Sequence, residues 1–495
     1  MNYLDLFKVA LPEIVVVLTA LVVLALGLTN SRERARVQGT TPFVGSFVVA
    51  LAGLACAIAA VFTLPPNAQL FGGMMVITPL TSLFKILCLL LTFFTVLLTH
   101  NQAPLRNHSE YLALLLLASV GLMLLVGSEE LLMIFIGLEL TGLSLYVLTA
   151  FDKSDVRSAE AGLKYFLFGS TASAFTLFGL SLVYGMSGTT GLSGIAQKLS
   201  AAPAQPLLAA GVVMTLVGLA FKIAAAPFHL WAPDAYEGAP VSAAAFIASG
   251  SKVAAFFVLG KIVLIGFGPL AGSAAWHAMV AGWVPALAVL ASLSIVIGNL
   301  VALVQKNVRR LLAYSAVAHS GYTLLGLIAG SSQGFGAALF YTTVYAFTLV
   351  GAFSVVALVR RQTGGDDLKN FTGLFSQSPL LAACMAIFLL SLAGLPPLAG
   401  FFGKFFLFSA ALRTGGTAHD LLWLVGLALF GSLVSLYYYL IVLRVIFVDQ
   451  PQSSDNIPKI QLDLLPRFSL SVLATLIVLL GLLPAILVNR ILASL

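Results

Sequence analysis

Residues 218–240 read GLAFKIAAAPFHLWAPDAYEGAP. Lys222 stands here among apolar neighbours, a setting in which a charged side chain is rarely buried unless paired. Five residues on, Pro227 lacks an amide hydrogen and its ring crowds the carbonyl of Ile223, so a helix through this stretch loses a hydrogen bond beside the lysine. Residues 391–405, SLAGLPPLAGFFGKF, repeat the combination, with Pro396 and Pro397 breaking the ladder about two turns before Lys404. Irregular backbone at membrane depth is tolerated only where it is buried in protein or faces water, and paired broken helices mark the ion path of transporters. One membrane proline is weak evidence, but the same lysine and break recurring five spans later is much stronger.

The composition supports a membrane reading. Of 495 residues, 60% are hydrophobic and 9% charged, against roughly a quarter charged in ordinary globular chains. So few charges cannot coat a water-soluble particle, and a mean hydropathy of +1.06 leaves the bilayer as solvent. The formal charge of +7 comes from 25 basic and 18 acidic residues scattered singly, which is loop asymmetry and not a basic footprint for nucleic acid. Cys56, Cys88 and Cys384 share no close spacing, so metal, haem or iron–sulfur ligation in this chain is not expected. The sequence holds no Walker-type glycine loop, dinucleotide fingerprint or serine elbow, and any redox chemistry is expected to be carried elsewhere.

A spanning helix needs about 20 apolar residues. Fourteen candidates lie near 11–29, 43–63, 76–99, 110–126, 130–150, 159–185, 207–236, 240–264, 276–304, 308–329, 334–360, 379–413, 420–447 and 466–489. The first is not expected to be a cleaved signal peptide, since its flank is not distinctly basic, the run is long and no small-residue cleavage site follows. The expected fold is therefore an all-α polytopic membrane protein. Spans four to eight and nine to thirteen form two five-helix repeats, inverted because five is odd, with spans seven and twelve broken. This gives an N-terminal three-helix segment (1–105), a first repeat (106–266), a second repeat (267–447) and a loop with a last helix (448–495).

Alternate loops carry unequal numbers of basic residues. One side has Arg32, Arg34, Arg36, Arg106, Lys153, Arg157, Lys306, Arg309, Arg310, Arg360, Arg361, Lys369, Lys459 and Arg467; the other has only Lys8, Lys198, Arg413 and Arg490. Both termini are accordingly expected on the outer side. Seven basic residues remain within spans: Lys85, Lys164, Lys222, Lys252, Lys261, Lys404 and Arg444. A lysine at a helix centre costs about 3 kcal/mol on insertion scales, so one that cannot snorkel to the interface calls for a function. Arg444 and Lys261 lie near helix ends and read as interfacial anchors. Lys85 and Lys164 lie a turn or two inside, where anchor and functional readings balance, and Lys222, Lys252 and Lys404 fall near mid-span.

Glu139, in LLMIFIGLELTGLSLYVLTA (131–150), is the acidic residue near a span centre. A buried carboxylate stays ionised only beside a cation, and Lys222 and Lys164 are the candidates. If Glu139 pairs with Lys222, loosening the pair lets desolvation favour the neutral amine, a switchable proton site. A static ion pair orienting two helices is the rival reading, disfavoured because buried pairs stabilise poorly. His319, in LAYSAVAHSGY (312–322), has hydroxyl residues nearby and can relay a proton, although a lone histidine in an apolar helix is more often a packing residue. His229, beyond Pro227, is similarly ambiguous. Asp234 and Glu237 at the mouth of span seven read as a solvated loop before a proton-collecting site, and Glu110 at the start of span four as either an access carboxylate or an exposed cap.

These three quoted motifs resemble the antiporter-like subunits of respiratory complex I, NADH-quinone oxidoreductase, which are related to multi-component sodium/proton antiporters. The resemblance covers most of the chain, is densest from about 130 to 410, and is strongest to the subunit N branch. FHLWAPDAYEGAP has that branch's form, lysine at 404 argues against the subunit M branch, and fourteen spans without a long lateral helix argue against the subunit L branch. It implies that Glu139 and Lys222 form the glutamate/lysine pair of helices five and seven, Lys252 the connecting lysine, Lys404 the terminal lysine and His319 the tenth-helix histidine, with Lys164 and Glu110 tuning the pair and proton access. It further implies a bacterial cytoplasmic (inner) membrane location with periplasmic termini. No cofactor is expected in this chain, whereas FMN, iron–sulfur clusters and quinone are expected in partner subunits. The neighbours expected are the antiporter-like subunit M, the small subunit K and the lipid bilayer, and no nucleic acid. A cation/proton antiporter subunit without redox partner and a structural spacer of a membrane arm are the alternative readings.

Overall fold

The computed structural model describes residues 7–34, 44–70, 73–100, 107–201, 205–413, 420–450, 460 and 462–495. Arg36, Arg106 and Lys459, used above for topology, lie outside the described residues. In chain order the helices are α1 (Leu11–Arg34), α2 (Val44–Val61), α3 (Pro79–Thr99), α4 (His108–Gly127), α5 (Leu131–Thr149), α6 (Val156–Ser187), the short α7 (Leu192–Ala201), α8 (Pro206–Lys222), α9 (Trp231–Gly238), α10 (Val241–Ala248) and α11 (Gly250–Lys261). They continue as α12 (Trp283–Ala302), α13 (Val308–Ile328), α14 (Ser332–Thr363), α15 (Leu374–Gln377), α16 (Pro379–Ala393), α17 (Ala399–Leu412), α18 (Leu422–Phe447), α19 (Leu464–Leu482) and α20 (Ala485–Ser494). Two hairpins of three-residue strands, β1 (Ala68–Leu70) with β2 (Met75–Ile77) and β3 (Ser273–Ala275) with β4 (Ala278–Val280), ornament the loops.

Among the described residues eleven helices are long and apolar enough to cross a membrane. The shorter α2 and the two broken spans, α8 with α9 and α16 with α17, complete fourteen crossings, and the chain is a multi-span membrane protein. The two breaks fall in the seventh and twelfth spans, as two five-helix repeats inverted in the membrane require. Local sequence sets many boundaries. Thr78 and Thr81 make a reciprocal capping box at the start of α3, with Pro79 at its first position. Asp155 caps α6, which ends 32 residues later on left-handed Gly188.

The central post is α14. Every side chain from Gly334 to Val359 is buried, as expected of a helix that is apolar all round. It packs on α3, α10, α11, α13, α16, α17, α19 and α20, so it touches the N-terminal segment, the kinked eighth span, the second broken span and the C-terminal helices. Lateral helices differ: α6 and α18 leave much of their surface outward, with Leu163, Phe166, Phe175, Leu433 and Tyr437 exposed.

Glycine sets how closely α6 and α8 approach. A Cβ on Gly179 would stand 2.6 Å from the Thr215 backbone nitrogen and 2.8 Å from the Gly211 carbonyl oxygen. Small residues let membrane helices pack backbone to backbone where lipid supplies no hydrophobic drive. In the N-terminal segment the contact is ionic: Lys85 of α3, wholly buried, lies 2.7 Å from the buried Glu13 of α1.

The structure differs from the sequence expectation in three places. The eighth span, read as continuous over 240–264, is interrupted at Ser249 (φ −114°, ψ −86°) and ends in a π-turn over Ile262–Gly266. A Ser-Gly pair makes this kink, a known cause that leaves no proline to read. The last span, read to 489, stops at Leu482 because Pro484 starts α20. Asp234 and Glu237 lie on α9 and not in a loop.

Gly179→Leu is expected to keep α6 off α8 and remove the assembled protein from membranes, read on native gels, while Gly185→Ala, which meets nothing within 4 Å, leaves assembly intact. Lys85→Met strands the Glu13 carboxylate and should cost about 3–5 kcal/mol, lowering the melting temperature of the detergent-solubilised protein; Lys85→Met with Glu13→Leu should recover most of that loss.

Candidate proton-transfer site

Lys222 is the last residue of α8. Beyond it the chain is non-helical from Ile223 to Leu230, with Ala224 at φ +55° and a cis bond before Pro227. The polar groups released by the break find partners on other helices. The Ile223 carbonyl accepts from Ser320 Oγ of α13 at 2.6 Å, the Ala226 amide donates to Ser294 Oγ of α12 at 2.8 Å, and the Trp231 indole donates to the Phe221 carbonyl at 3.1 Å. This is how a broken membrane helix survives.

Lys222 Nζ is buried and has no hydrogen-bond partner among the described residues. It lies over the Tyr146 ring, 5.4 Å from its centroid, and 5.9 Å from that of Phe221. Tyr146 and Glu139 are on one face of α5, two turns apart. The expected direct Glu139–Lys222 pair is absent from the structure: Glu139 accepts from the Ser173 hydroxyl of α6 instead, and its charge reaches Lys222 only through space. Lys164 does not supply Glu139 either. It is half-exposed and pairs with Glu160 (2.7 Å) and with Asp234 (2.8 Å).

The second lysine sits just past the Ser249 kink. Lys252 Nζ donates to the Ala316 carbonyl at 2.7 Å and to Ser320 Oγ at 2.9 Å. Ser320 thus touches Lys252 on one side and the Ile223 carbonyl, next to Lys222, on the other. The adjacent residue on α13 is His319, whose Nδ1 is 2.5 Å from Tyr341 Oη and Nε2 3.0 Å from Tyr439 Oη. Tyr439 also bonds Ser315, and the Tyr345 ring lies between Lys252 (5.6 Å) and His319 (5.0 Å). Sequence reading singled out the hydroxyls beside His319 on its own helix; the hydroxyls that bond it come from α14 and α18.

Lys404 closes the series. Gly394, at φ +86°, caps α16, and α17 begins at Ala399 after the double proline. Lys404 Nζ donates to the Ala393 carbonyl at 2.9 Å, the negative end of α16, and to Ser432 Oγ at 2.8 Å. It lies 5.2 Å from the Tyr322 centroid, and the Tyr322 hydroxyl accepts from Asn299 at 2.9 Å. Lys252, His319 and Lys404 thus sit among buried hydroxyls and aromatic rings, and Lys222 adjoins them through the neighbouring Ile223 carbonyl that Ser320 bonds; the amines, the imidazole and the hydroxyls are groups able to hold or pass a proton.

Other candidates stand apart. His229 is buried in the first break beside Tyr314, its Nδ1 without a partner. Glu110, in the first turn of α4, accepts from the Asn107 side chain at 3.2 Å and lines a cavity of about 970 Å³ that reaches Tyr146. Asp234 and Glu237 form a rim network on Arg310 at 2.7 and 2.9 Å, so Asp234 ties α6 to α13. Two residues read as loop or anchor are buried. Lys261 is paired with Glu129 at 3.0 Å, and Arg309 is wholly buried on Asp366 at 3.2 Å and on the Ala239 carbonyl. Sequence position gave each as near a helix end; neighbours from distant segments enclose them. Among the described residues no group of three or more His, Cys, Asp or Glu side chains converges.

Comparison with known proteins follows this geometry. The sequence profile of the family described as NADH:quinone oxidoreductase/Mrp antiporter, transmembrane, matches residues 128–435, which hold both breaks and Glu139, Lys222, Lys252, His319 and Lys404. NADH-quinone oxidoreductase subunit N 2 of Acidobacterium capsulatum is 45% identical, over 99% of each chain. A chain of respiratory complex I from Thermus thermophilus with bound aureothin superposes with a TM-score of 0.78 at 33% identity, covering 98% of this chain and 100% of that one. A chain of the Mrp complex from Dietzia, at 22% identity and a TM-score of 0.79 over 100% and 97% of the chains, shares the fold. The chain belongs to the NADH:quinone oxidoreductase/Mrp antiporter membrane family.

Proposed function

We propose that this chain is a proton-translocating membrane-arm subunit of NADH-quinone oxidoreductase, moving protons along Glu139, Lys222, Lys252, His319 and Lys404 while quinone is reduced in other subunits. The observation that carries the reading is the run of buried groups from Lys222 through Ser320, Lys252 and His319 to Lys404, with each lysine within about two turns of a helix interruption. An ammonium at membrane depth is costly, and three set in line with hydroxyl and carbonyl acceptors suit transfer better than support. Lys222, which has no hydrogen-bond acceptor among the described residues, and Glu139, held by Ser173, begin the path. Lys164, Glu110 and His229 are auxiliary: the first joins the Asp234 rim, the second lines the cavity, the third lies in the first break.

The N-terminal segment 1–105, the repeats 106–266 and 267–447, and the end segment 448–495 serve as its working units. Its relatives' names support partners of the complex I membrane arm, with subunits M and K as neighbours; FMN, iron–sulfur clusters and quinone belong to partner subunits. The bacterial complex I relatives support a bacterial inner-membrane location, and the basic loops support periplasmic termini. A second reading, a cation/proton antiporter subunit, rests on the shared fold of the Dietzia Mrp chain.

Lys222→Ala or Lys404→Ala should lower protons pumped per quinone reduced or slow coupled turnover in reconstituted vesicles, and assembled enzyme with unchanged pumping and rate would sink the axis. Purification in mild detergent separates the two readings: flavin and iron–sulfur absorbance in the co-purifying particle is expected, and a cofactor-free particle would point to the antiporter.

A further inference from the structure

The cavity beside α5 ends on a tyrosine that no part of the axis uses. It is lined by Glu110, Ala150, Asp152, Lys153 and Phe166 together with Tyr146. At about 970 Å³ it has room for many waters, each needing about 30 Å³. Tyr146 is 6% exposed, and its hydroxyl is buried with no hydrogen-bond partner among the described residues. A buried unmatched hydroxyl is costly, and one kept in a membrane protein needs a reason.

Lys222 supplies that reason. The bare face of α5 at Gly142 is crowded by both polar groups: a Cβ there would stand 2.7 Å from Lys222 Nζ and 3.2 Å from Tyr146 Oη. Gly169 of α6 leaves room for the same hydroxyl, since a Cβ there would come 2.0 Å from Tyr146 Oη. The ring is held edge-on by Tyr165, with centroids 4.7 Å apart, and by Phe166 at 6.0 Å. Two glycines and two aromatic rings therefore fix a phenol whose ring lines a solvent-sized cavity and carries an ammonium over its face, and neither polar group has a hydrogen bond among the described residues.

We propose that Tyr146 is the gate and relay through which Lys222 exchanges protons with the cavity. This rests on the reading of Lys222 as a proton carrier. In the step, the ring swings from its resting position, where the hydroxyl is buried and unbonded, to set the hydroxyl between a cavity water and Lys222; the phenol O–H then donates its proton to the neutral Lys222 amine as the phenol oxygen takes a proton from a protonated water. Two proton transfers balance, the tyrosine ends as it began, and the resting ring keeps bulk water from the lysine. Asp152 and Glu110, which line the cavity, draw protons toward it.

Tyr146→Phe keeps the ring and its packing while removing the relay. In reconstituted holoenzyme it should lower coupled turnover and proton translocation roughly tenfold and raise the solvent deuterium isotope effect, as loss of a proton-transfer group does. Tyr146→Ser, which admits water to Lys222, should retain more activity than Tyr146→Phe. A residue that only packs gives the opposite order, because Phe preserves its contacts. Native rate and isotope effect in Tyr146→Phe, or Ser worse than Phe, overturns the proposal; should Tyr146→Ser fail to assemble, the isotope effect in Tyr146→Phe decides alone. If Lys222→Ala is itself without effect, the axis fails and not the tyrosine; if Lys222→Ala is impaired and Tyr146→Phe is native, only the tyrosine fails.

Discussion

A positive charge at membrane depth must be met by something other than water, and the architecture follows from how three lysines are met. Lys252 and Lys404 each take a main-chain carbonyl and a serine hydroxyl, and the carbonyl on Lys404 is the last of α16. The carbonyl on Lys404 is free because α16 ends there, whereas Ala316, within α13, serves Lys252 with a second lone pair. At Lys222 and Lys404 break and charge lie side by side, and the opened backbone is tolerable because buried polar groups surround it. The post α14 packs on both helices of the second break and is apolar all round.

Much of this was legible in the sequence, because proline and lysine are conspicuous against an apolar background. Pro227 and Pro396–Pro397 announced two breaks, and Lys222, Lys252 and Lys404 were identified by depth alone. What was hidden is direction around a helix and partnership between distant segments. The Ser249 kink has no proline, only a Ser-Gly pair of a kind common elsewhere. Lys261 lies near a helix end and read as an anchor, yet Glu129, 132 residues earlier, encloses it. Arg309 was counted as loop charge, although Asp366 and the Ala239 carbonyl take it into the interior. Glu139 and Lys222 share a neighbourhood as foreseen, but Ser173 and Tyr146 stand as their immediate contacts, and no spacing rule encodes that.

The rim network adds a mechanical element to the electrostatic one. Asp234, on the short α9 that follows the first break, holds Lys164 of α6 and Arg310 of α13 at once. The helix after the break is thereby tied to both halves of the molecule.

The Glu13–Lys85 pair has a consequence for how the protein is made. The two residues leave the ribosome some seventy positions apart, and neither has its partner when its own helix meets the insertion machinery. Until α3 is made, the carboxylate in the first turn of α1 lacks the cation that it meets in the folded protein. The pair therefore closes only when both helices are present, so the final seating of α1 depends on residues synthesised two spans later.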